Sequence, residues 1–263
     1  MPSSMELRGA ALHALGLCEP HDKAAAVQAM GPGARVDAQA ILSTAAALPG
    51  RPSRPALVPP AKVRQRSLGS PQGRAALIHA LAHIEFNAIN LALDIMWRFA
   101  GMPEVFYREW ATVAAEEAMH FGLLREHLRD MGHAYGDFPA HDGLWDMAEK
   151  TRDDILARLA LVPRTLEARG LDASPLIRDK LLHAGDTRGA AILDVILRDE
   201  IGHVAVGNRW FRHLCRERGL DPLAAYDALA ARHEAPRLKG PFNLPARRAA
   251  GFTEDELQRL LAD

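Results

Sequence analysis

Apolar side chains recur every three to four residues along most of the chain after Pro71, and polar side chains fill the positions between them. This spacing is that of amphipathic helices. Alternation with the two-residue period of a strand does not extend over a useful length, and β-branched residues are sparse. The sequence therefore predicts an all-α fold.

Four long helical patterns follow one another in the middle of the chain. They cover approximately residues 72–99, 103–131, 145–170 and 186–218. Ser70 caps the first helix with Pro71 in its first turn, and Gly132 suits the end of the second. The loop between these two is short, so the helices should lie antiparallel. Pro163 lies within the third helix and should kink it or force a bulge.

The N-terminal segment precedes these helices. Residues 1–48 are rich in alanine and predict one or two short helices, broken at Gly31, Pro32 and Gly33. Prolines recur through residues 49–71, so this stretch should be an extended connection laid over the helices.

Further short helices are expected in the second half. The pair Ser174–Pro175 predicts the start of one helix, and residues 222–233 predict another. The last helix should be capped at Thr253, with Glu256 placed for a capping box. Residues 236–245 are bounded by prolines and should be irregular.

We expect three parts in the chain. Residues 1–71 form an N-terminal helical segment and proline-rich lead-in packed on a bundle, residues 72–218 form a four-helix bundle, and residues 219–263 form a C-terminal helical tail. At 263 residues with 48% hydrophobic residues, the chain is long enough to bury a sizeable core.

Composition excludes several classes of function. The formal net charge is -1, from 32 basic and 33 acidic residues, so nucleic acid is not a favoured partner. Cys18 and Cys215 lack the spacing of a zinc site or a disulfide framework. The N-terminus lacks a basic region followed by an apolar run, and charged residues interrupt the apolar helices. We expect a cytoplasmic protein that does not enter a membrane.

Two Glu-x-x-His pairs carry candidate metal chemistry. Glu117 and His120 are three residues apart on one helical face, and so are Glu200 and His203. Each pair by itself is weak evidence, but both point into apolar stripes. The neighbours on these faces are Trp110, Val113, Ala114, Phe121, Leu124 and Leu128 for the first pair, and Ile192, Ile196, Val204 and Phe211 for the second. A carboxylate in such a stripe is costly unless it is paired or binds a cation.

The two remaining long helices each bring one more carboxylate, Glu85 and Glu167, to an apolar face. The spacings are similar: 117 - 85 = 32 residues and 200 - 167 = 33 residues, as expected for two helical hairpins with ligands at mid-helix. Two divalent cations would cancel the charge of four carboxylates. Oxygen and nitrogen ligands of this kind suit iron or manganese, so we expect two iron ions, with manganese as the alternative. A buried network of salt bridges is the competing interpretation.

Acidic residues precede both Glu-x-x-His pairs. Glu116 and Asp199 could turn toward a ligand histidine and fix its tautomer. A solvated helix face is an equally good explanation.

Two other sets of polar residues have structural explanations that do not require a binding site. His83, Asn87, Asn90 and Asp94 form a polar stripe on the first long helix, which should pack under the proline-rich segment or the C-terminal tail. The basic residues near the C-terminus are an anion-facing patch or, in the favoured interpretation, a solvated tail. These are Arg237, Lys239, Arg247 and Arg248.

The order Glu, Glu-x-x-His, Glu, Glu-x-x-His resembles the ferritin-like di-iron carboxylate superfamily over residues 72–218. Within this superfamily, the sequences of the motifs are similar to those of a bacterial family of unknown function, the DUF455 family. The similar stretches are HALAHIEFNAINLALD at 79–94, EEAMHFGLLREHL at 116–128, LRDEIGHVAVGNRWF at 197–211 and PFNLPARRAAGF at 241–252. The resemblance implies a ferritin-like four-helix bundle with extra N- and C-terminal helices.

The resemblance and the ligand set together imply a non-haem di-iron or di-manganese oxidase or oxygenase. It would use O2 and an electron donor on a small or medium-sized substrate. A tRNA-modifying hydroxylase of the same superfamily is an alternative, although the near-neutral net charge does not indicate a basic surface for RNA. The sequence identifies neither the substrate nor the electron donor, and it leaves the oligomeric state open.

An iron-handling or peroxide-reducing protein, like ferritins and rubrerythrins, is a second alternative. Ferritin cages need short subunits, and rubrerythrins usually carry a cysteine-rich iron site that two isolated cysteines cannot build. The third alternative is a non-enzymatic helical interaction protein with a salt-bridged core.

Overall fold

The computed structural model forms two compact units, residues 1–145 and 146–263. The residues that it describes are 6–31, 33–64 and 66–262. Pro32, one of the expected helix breakers, lies outside the described residues, as do residues 1–5, Gln65 and Asp263. Among the described residues no strand forms beyond an isolated bridge between Leu57 and Ala140. The predicted all-α fold is confirmed, while the three-part division of the chain stays a prediction.

The first unit is built on one long helical hairpin. Its helices are α1 (Leu7–Gly16), α2 (Pro20–Gln28), α3 (Pro71–Arg98) and α4 (Glu104–Asp130), and α5 (Gly143–Lys150) begins at its end. The hairpin is α3 with α4, and its bounds lie within one residue of those predicted. The hydroxyl of Ser70 accepts a hydrogen bond from the backbone N–H of Gly73 (3.0 Å), as its predicted role as a cap requires.

The N-terminal helices pack on this hairpin, α1 against α3 and α2 against α4. Arg8 ties α1 to the C-terminal end of α3. Its Nε donates to the carbonyl of Met96 (3.0 Å) and its Nη2 to that of Trp97 (2.8 Å). These carbonyls belong to the last turn, where a helix lacks its own donors. The buried arginine therefore caps α3.

Helix α3 is long and apolar enough to cross a membrane by length and composition. However, 78% of its apolar stretch is buried within the protein. This burial is typical of a core helix.

The second unit contains helices on both sides of a π-helical segment. They are α6 (Ile155–Leu161), the π segment (Val162–Glu167), α7 (Ala168–His183), α8 (Thr187–Glu217), α9 (Pro222–Arg232), α10 (Leu244–Ala249) and α11 (Glu254–Ala262). Helix α8 has nearly the predicted bounds, and the carboxylate of Asp186 caps it by accepting from the N–H of Gly189 (2.8 Å).

The prediction of one continuous third helix over residues 145–170 was wrong. Helix α5 ends at Lys150, and a new helix, α6, begins at Ile155. The side chain of Asp154 caps α6. A bulge at Pro163 was expected, and the π segment confirms it. Proline has no N–H to donate, and a π turn absorbs the missing bond.

Pro175 does not start a new helix, contrary to prediction, but lies inside α7. The carbonyl of Leu171, four residues earlier, cannot receive a bond from proline. It accepts one from the side-chain amide of Asn243 instead (3.1 Å). A distant residue thus offsets the local cost of the proline.

Helix α10 starts inside the stretch predicted to be irregular. Asn243 caps it by accepting from the N–H of Ala246 (3.3 Å). Ala246 and Ala250 belong to the core of the second unit, together with Ala168, Leu171 and Val204. The predicted capping box at α11 is confirmed, because Glu256 accepts from the N–H of Thr253 (2.8 Å) and Thr253 accepts from that of Glu256 (3.3 Å).

Candidate metal centre

Three of the predicted metal ligands meet inside the first unit. Glu85 comes from the middle of α3, and Glu117 and His120 come from the middle of α4. Atom Nδ1 of His120 lies 3.2 Å from Oε2 of Glu85 and 3.5 Å from Oε2 of Glu117. One ligand atom from each of the three residues lies within 4.8 Å of the other two. The three side chains could therefore hold one metal ion together.

This Glu85–Glu117–His120 cluster is cut off from solvent. The three residues are 4%, 1% and 0% exposed, respectively. Phe86 and Phe121 follow Glu85 and His120 in sequence, and their rings pack together with centroids 5.5 Å apart. Two carboxylates in such surroundings cost free energy unless positive charge lies beside them.

Protonation is strongly perturbed in this cluster. Burial and the neighbouring charge of Glu117 raise the pKa of Glu85 well above its ordinary value. Burial alone would lower the pKa of His120, but hydrogen bonds to Glu117 and Glu85 raise it. Both shifts favour the protonated forms of Glu85 and His120, which lowers the net negative charge of the cluster. A divalent cation could replace that positive charge.

The second unit places its predicted ligands on adjoining segments. Glu200 and His203 are buried on α8, with Oε2 of Glu200 3.9 Å from Nδ1 of His203. Glu167 ends the π segment and is only partly buried. A Cβ on Gly170, one turn after Glu167, would lie 3.9 Å from the carboxyl carbon of Glu200. The carboxyl group of Glu200 therefore lies beside the start of α7.

The residues expected to orient the ligand histidines, Glu116 and Asp199, are both partly buried. The carboxylate of Asp199 accepts hydrogen bonds from its neighbour Arg198, with the shortest at 2.7 Å from Nε. This contact stays on the same helix. The orienting role of both acids stays a prediction.

The polar stripe of α3 packs within the first unit. His83 contacts the hydroxyl of Tyr135 (2.8 Å) and the carbonyl of His141 (3.1 Å), and Asn90 accepts from Lys23 of α2 (2.5 Å). Asp94 pairs with Arg98 (2.6 Å) on the same helix. These partners lie in α2, in α3 and in the loop after α4, and Lys23 also donates to the carbonyl of Gly50 (3.0 Å) in the proline-rich segment.

Sequence reasoning missed four buried cations, Arg8, Lys23, Arg158 and Arg164. The apolar residues next to Lys23 and Arg164 in the sequence could have indicated that both side chains are buried. Lys23 precedes three alanines, and Arg164 follows a run of apolar residues in the π segment. Arg247, expected in a solvated tail, is also buried, because Asp172 of α7 holds it with an N–O distance of 2.6 Å. The favoured interpretation was therefore wrong for this arginine.

Fold and site define an all-α protein with buried clusters of glutamate and histidine on its long helices. The chain belongs to the DUF455 family, described as a protein of unknown function, which it matches over residues 17–258. It is 49% identical over 213 residues to an uncharacterized protein of Haemophilus influenzae, covering 78% of this chain and 74% of that protein. No solved structure matches the chain.

Proposed function

We propose that this protein is a ferritin-like four-helix bundle that holds two iron or manganese ions and oxidises a small or medium-sized substrate with O2. The proposed ligands are Glu85, Glu117, His120, Glu167, Glu200 and His203. An electron donor would complete the reaction. The proposal covers an oxidase or an oxygenase.

The observation that carries the proposal is the Glu85–Glu117–His120 cluster. Its two carboxylates and one imidazole form the donor set that non-haem iron and manganese prefer. Their ligand atoms lie within 4.8 Å of one another in an environment from which solvent is excluded. The raised pKa values of Glu85 and His120 indicate that the cluster needs compensating positive charge.

The assignment of Glu167, Glu200 and His203 as ligands rests on the repeated order of glutamate and histidine along the chain. The order of ligands in α3 and α4 recurs in the π segment and α8, with nearly equal spacing. Four carboxylates match the charge of two divalent cations. In this proposal Glu167, Glu200 and His203 complete the ligand set of the two ions, as the second helix pair does in di-metal bundles.

Bound iron would supply the redox chemistry with O2, and manganese could take its place. The chain's own residues would hold the ions by their carboxylate oxygens and imidazole nitrogens. Burial of Glu85, Glu117 and His120, which are at most 4% exposed, would keep water away from these ligands. Excluding water strengthens the electrostatic interaction between ligands and cations.

A buried salt-bridge network is the second candidate. Its supporting observation is that the imidazole of His120 lies within 3.5 Å of both carboxylates and has a raised pKa. An imidazolium could balance part of their charge without metal. In that case the protein would be a non-enzymatic helical module.

Metal content decides between these two functions. Protein purified without a metal-affinity tag is incubated anaerobically with Fe²⁺ or Mn²⁺, desalted and analysed by mass spectrometry. We expect close to two ions per chain, and their loss in the double variant Glu117→Ala, Glu200→Ala. A higher iron content would indicate iron storage, which would count against the enzyme.

Glu126 and Glu217 provide a matched control, because both are exposed acids on α4 and α8. The double variant Glu126→Ala, Glu217→Ala should retain the metal. Metal-free protein after incubation, or equal metal in both double variants, would falsify the di-metal proposal and favour the salt-bridge network.

A further inference from the structure

A cavity of about 220 Å³ lies in the second unit, and its wall includes Arg164, three residues before the candidate ligand Glu167. Its walls come from the π segment, α9, the connection after α9, α10 and α11. Much of the wall is apolar, including Tyr226, Ala230, Leu238, Phe252 and Leu260. A concave, mostly apolar site with a few charged groups is the usual form of a small-molecule site.

The charged groups of the wall are mostly paired with one another. Glu256 accepts hydrogen bonds from Arg164 (2.5 Å) and from Arg212 (2.8 Å). Asp227 accepts one from Arg259. Both acidic residues of the wall are therefore already engaged by arginines. Neither is left to attract a cationic ligand.

Two arginines retain unused donors. Within the part of the chain that the structure describes, Arg237 has no acceptor for its exposed guanidinium group. Arg164 is 4% exposed, and among the described residues its Nε has no acceptor. The remaining arginine, Arg247, is held by Asp172. The wall thus has more cationic donors than acceptors.

The guanidinium group of Arg164 is fixed in position. Asn208 accepts from its Nη1 (2.8 Å), and its central carbon lies 4.8 Å from the ring centre of Phe211 and 5.1 Å from that of Phe252. Stacking and hydrogen bonding hold this guanidinium group rigidly in the wall, where its charge is paired with that of Glu256 (2.5 Å). The charge for a ligand is therefore left to Arg237.

We propose that this cavity binds a small organic acid, with its carboxylate at Arg237 and its apolar body against Tyr226, Leu238 and Phe252. Arginine forms paired hydrogen bonds with carboxylates, which suits a ligand of one negative charge. A multiply charged anion without an apolar body would leave most of the wall unused. The proposal does not depend on metal and goes beyond the proposed oxidation.

Binding is tested on metal-free full-length protein by isothermal titration calorimetry. The probes are benzoate and hexanoate, their neutral counterparts benzamide and hexanamide, and sulfate. We expect saturable binding of at least one of the two carboxylates. Its amide and sulfate should bind at least about tenfold more weakly, because one charged contact contributes about 1.4 kcal/mol or more.

Two variants locate the site, and a third is the control. Arg237→Ala should weaken carboxylate binding about tenfold, and Ala230→Phe should abolish it by filling the cavity. Arg232→Ala removes an exposed charge at the end of the same α9 helix without touching the wall, and it should bind normally. Circular dichroism confirms that each variant is folded.

The proposal is overturned if neither carboxylate binds, if each carboxylate and its amide bind equally well, or if folded Ala230→Phe binds like the unmodified protein. None of these results bears on the metal content. Failure of this inference therefore stays distinct from failure of the proposed function.

Discussion

Lys23 lies in the core of the first unit, held by oxygen atoms from three different segments. Its Nζ donates to the carbonyls of Leu15 (2.9 Å) and Gly50 (3.0 Å) and to the side chain of Asn90 (2.5 Å). The ring of Phe86 lies 5.3 Å away. Burial, with a contribution from the charge of Arg51, lowers the pKa of Lys23 to about 7.

Substituting Lys23→Met should destabilise the protein more at pH 9 than at pH 7. The folded pKa of about 7 lies below the unfolded value of 10.5, so the unfolded chain binds more protons between these values. Stability from this group therefore rises with pH across that window and is flat below about pH 7. The difference in unfolding free energy between the two proteins should grow by about 2 kcal/mol from pH 7 to pH 9.

Urea unfolding at both pH values measures this difference. The variant should also be less stable at pH 7, because three oxygen acceptors lose their donor. A difference that is equal at both pH values would contradict the lowered pKa of Lys23.

At the scale of elements, the π segment and α8 fit together through one glycine. A Cβ on Gly207 would lie 2.7 Å from Cβ and 2.8 Å from Cγ of Pro163. The residue that forces the bulge thus packs against a position on α8 where only a hydrogen fits. This close approach explains a glycine within a long helix, where it would otherwise cost stability.

Gly207→Ala should therefore destabilise the protein by about 1–3 kcal/mol, because the added methyl group overpacks the contact with Pro163. Gly202 on the same helix is exposed, and a Cβ there meets nothing within 4 Å. Gly202→Ala should stabilise the protein by about 0.5–1 kcal/mol through helix propensity. Opposite signs in urea unfolding would support this packing, while equal effects would refute it.

At the scale of the whole molecule, the proposed centre couples metal binding to stability. An ion that binds only the folded protein raises its melting temperature by mass action. With Fe²⁺ at about one hundred times its dissociation constant, the gain is about 2.7 kcal/mol, or roughly 5 °C or more for a chain of this size. Anaerobic differential scanning fluorimetry measures the shift.

Glu85→Ala and Glu200→Ala test whether both residues are metal ligands. Each substitution alone should remove most of the iron-dependent shift, because the proposal needs four carboxylates to balance the charge of two divalent ions. The exposed control Glu126→Ala should keep the full shift. A full shift in either ligand variant would mean that the residue in question is not a ligand.

The sequence determined the helical class, the hairpin of α3 and α4, the span of α8 and the capping box at Thr253 and Glu256. These features depend on hydrophobic period and capping, which are local properties of the chain. It also predicted that Glu85, Glu117 and His120 come together, since helical spacing puts all three on apolar faces of neighbouring helices.

Contacts between distant parts of the chain determine the structure at Pro175, at α10 and at the buried cations. Pro175 is tolerated inside α7 because Asn243, far along the chain, satisfies the carbonyl that the proline leaves without a donor. Lys23 and Arg164 are buried because backbone carbonyls and distant side chains surround them. Except for Leu15, these partners are separated by tens of residues, so local pattern and propensity do not reveal them.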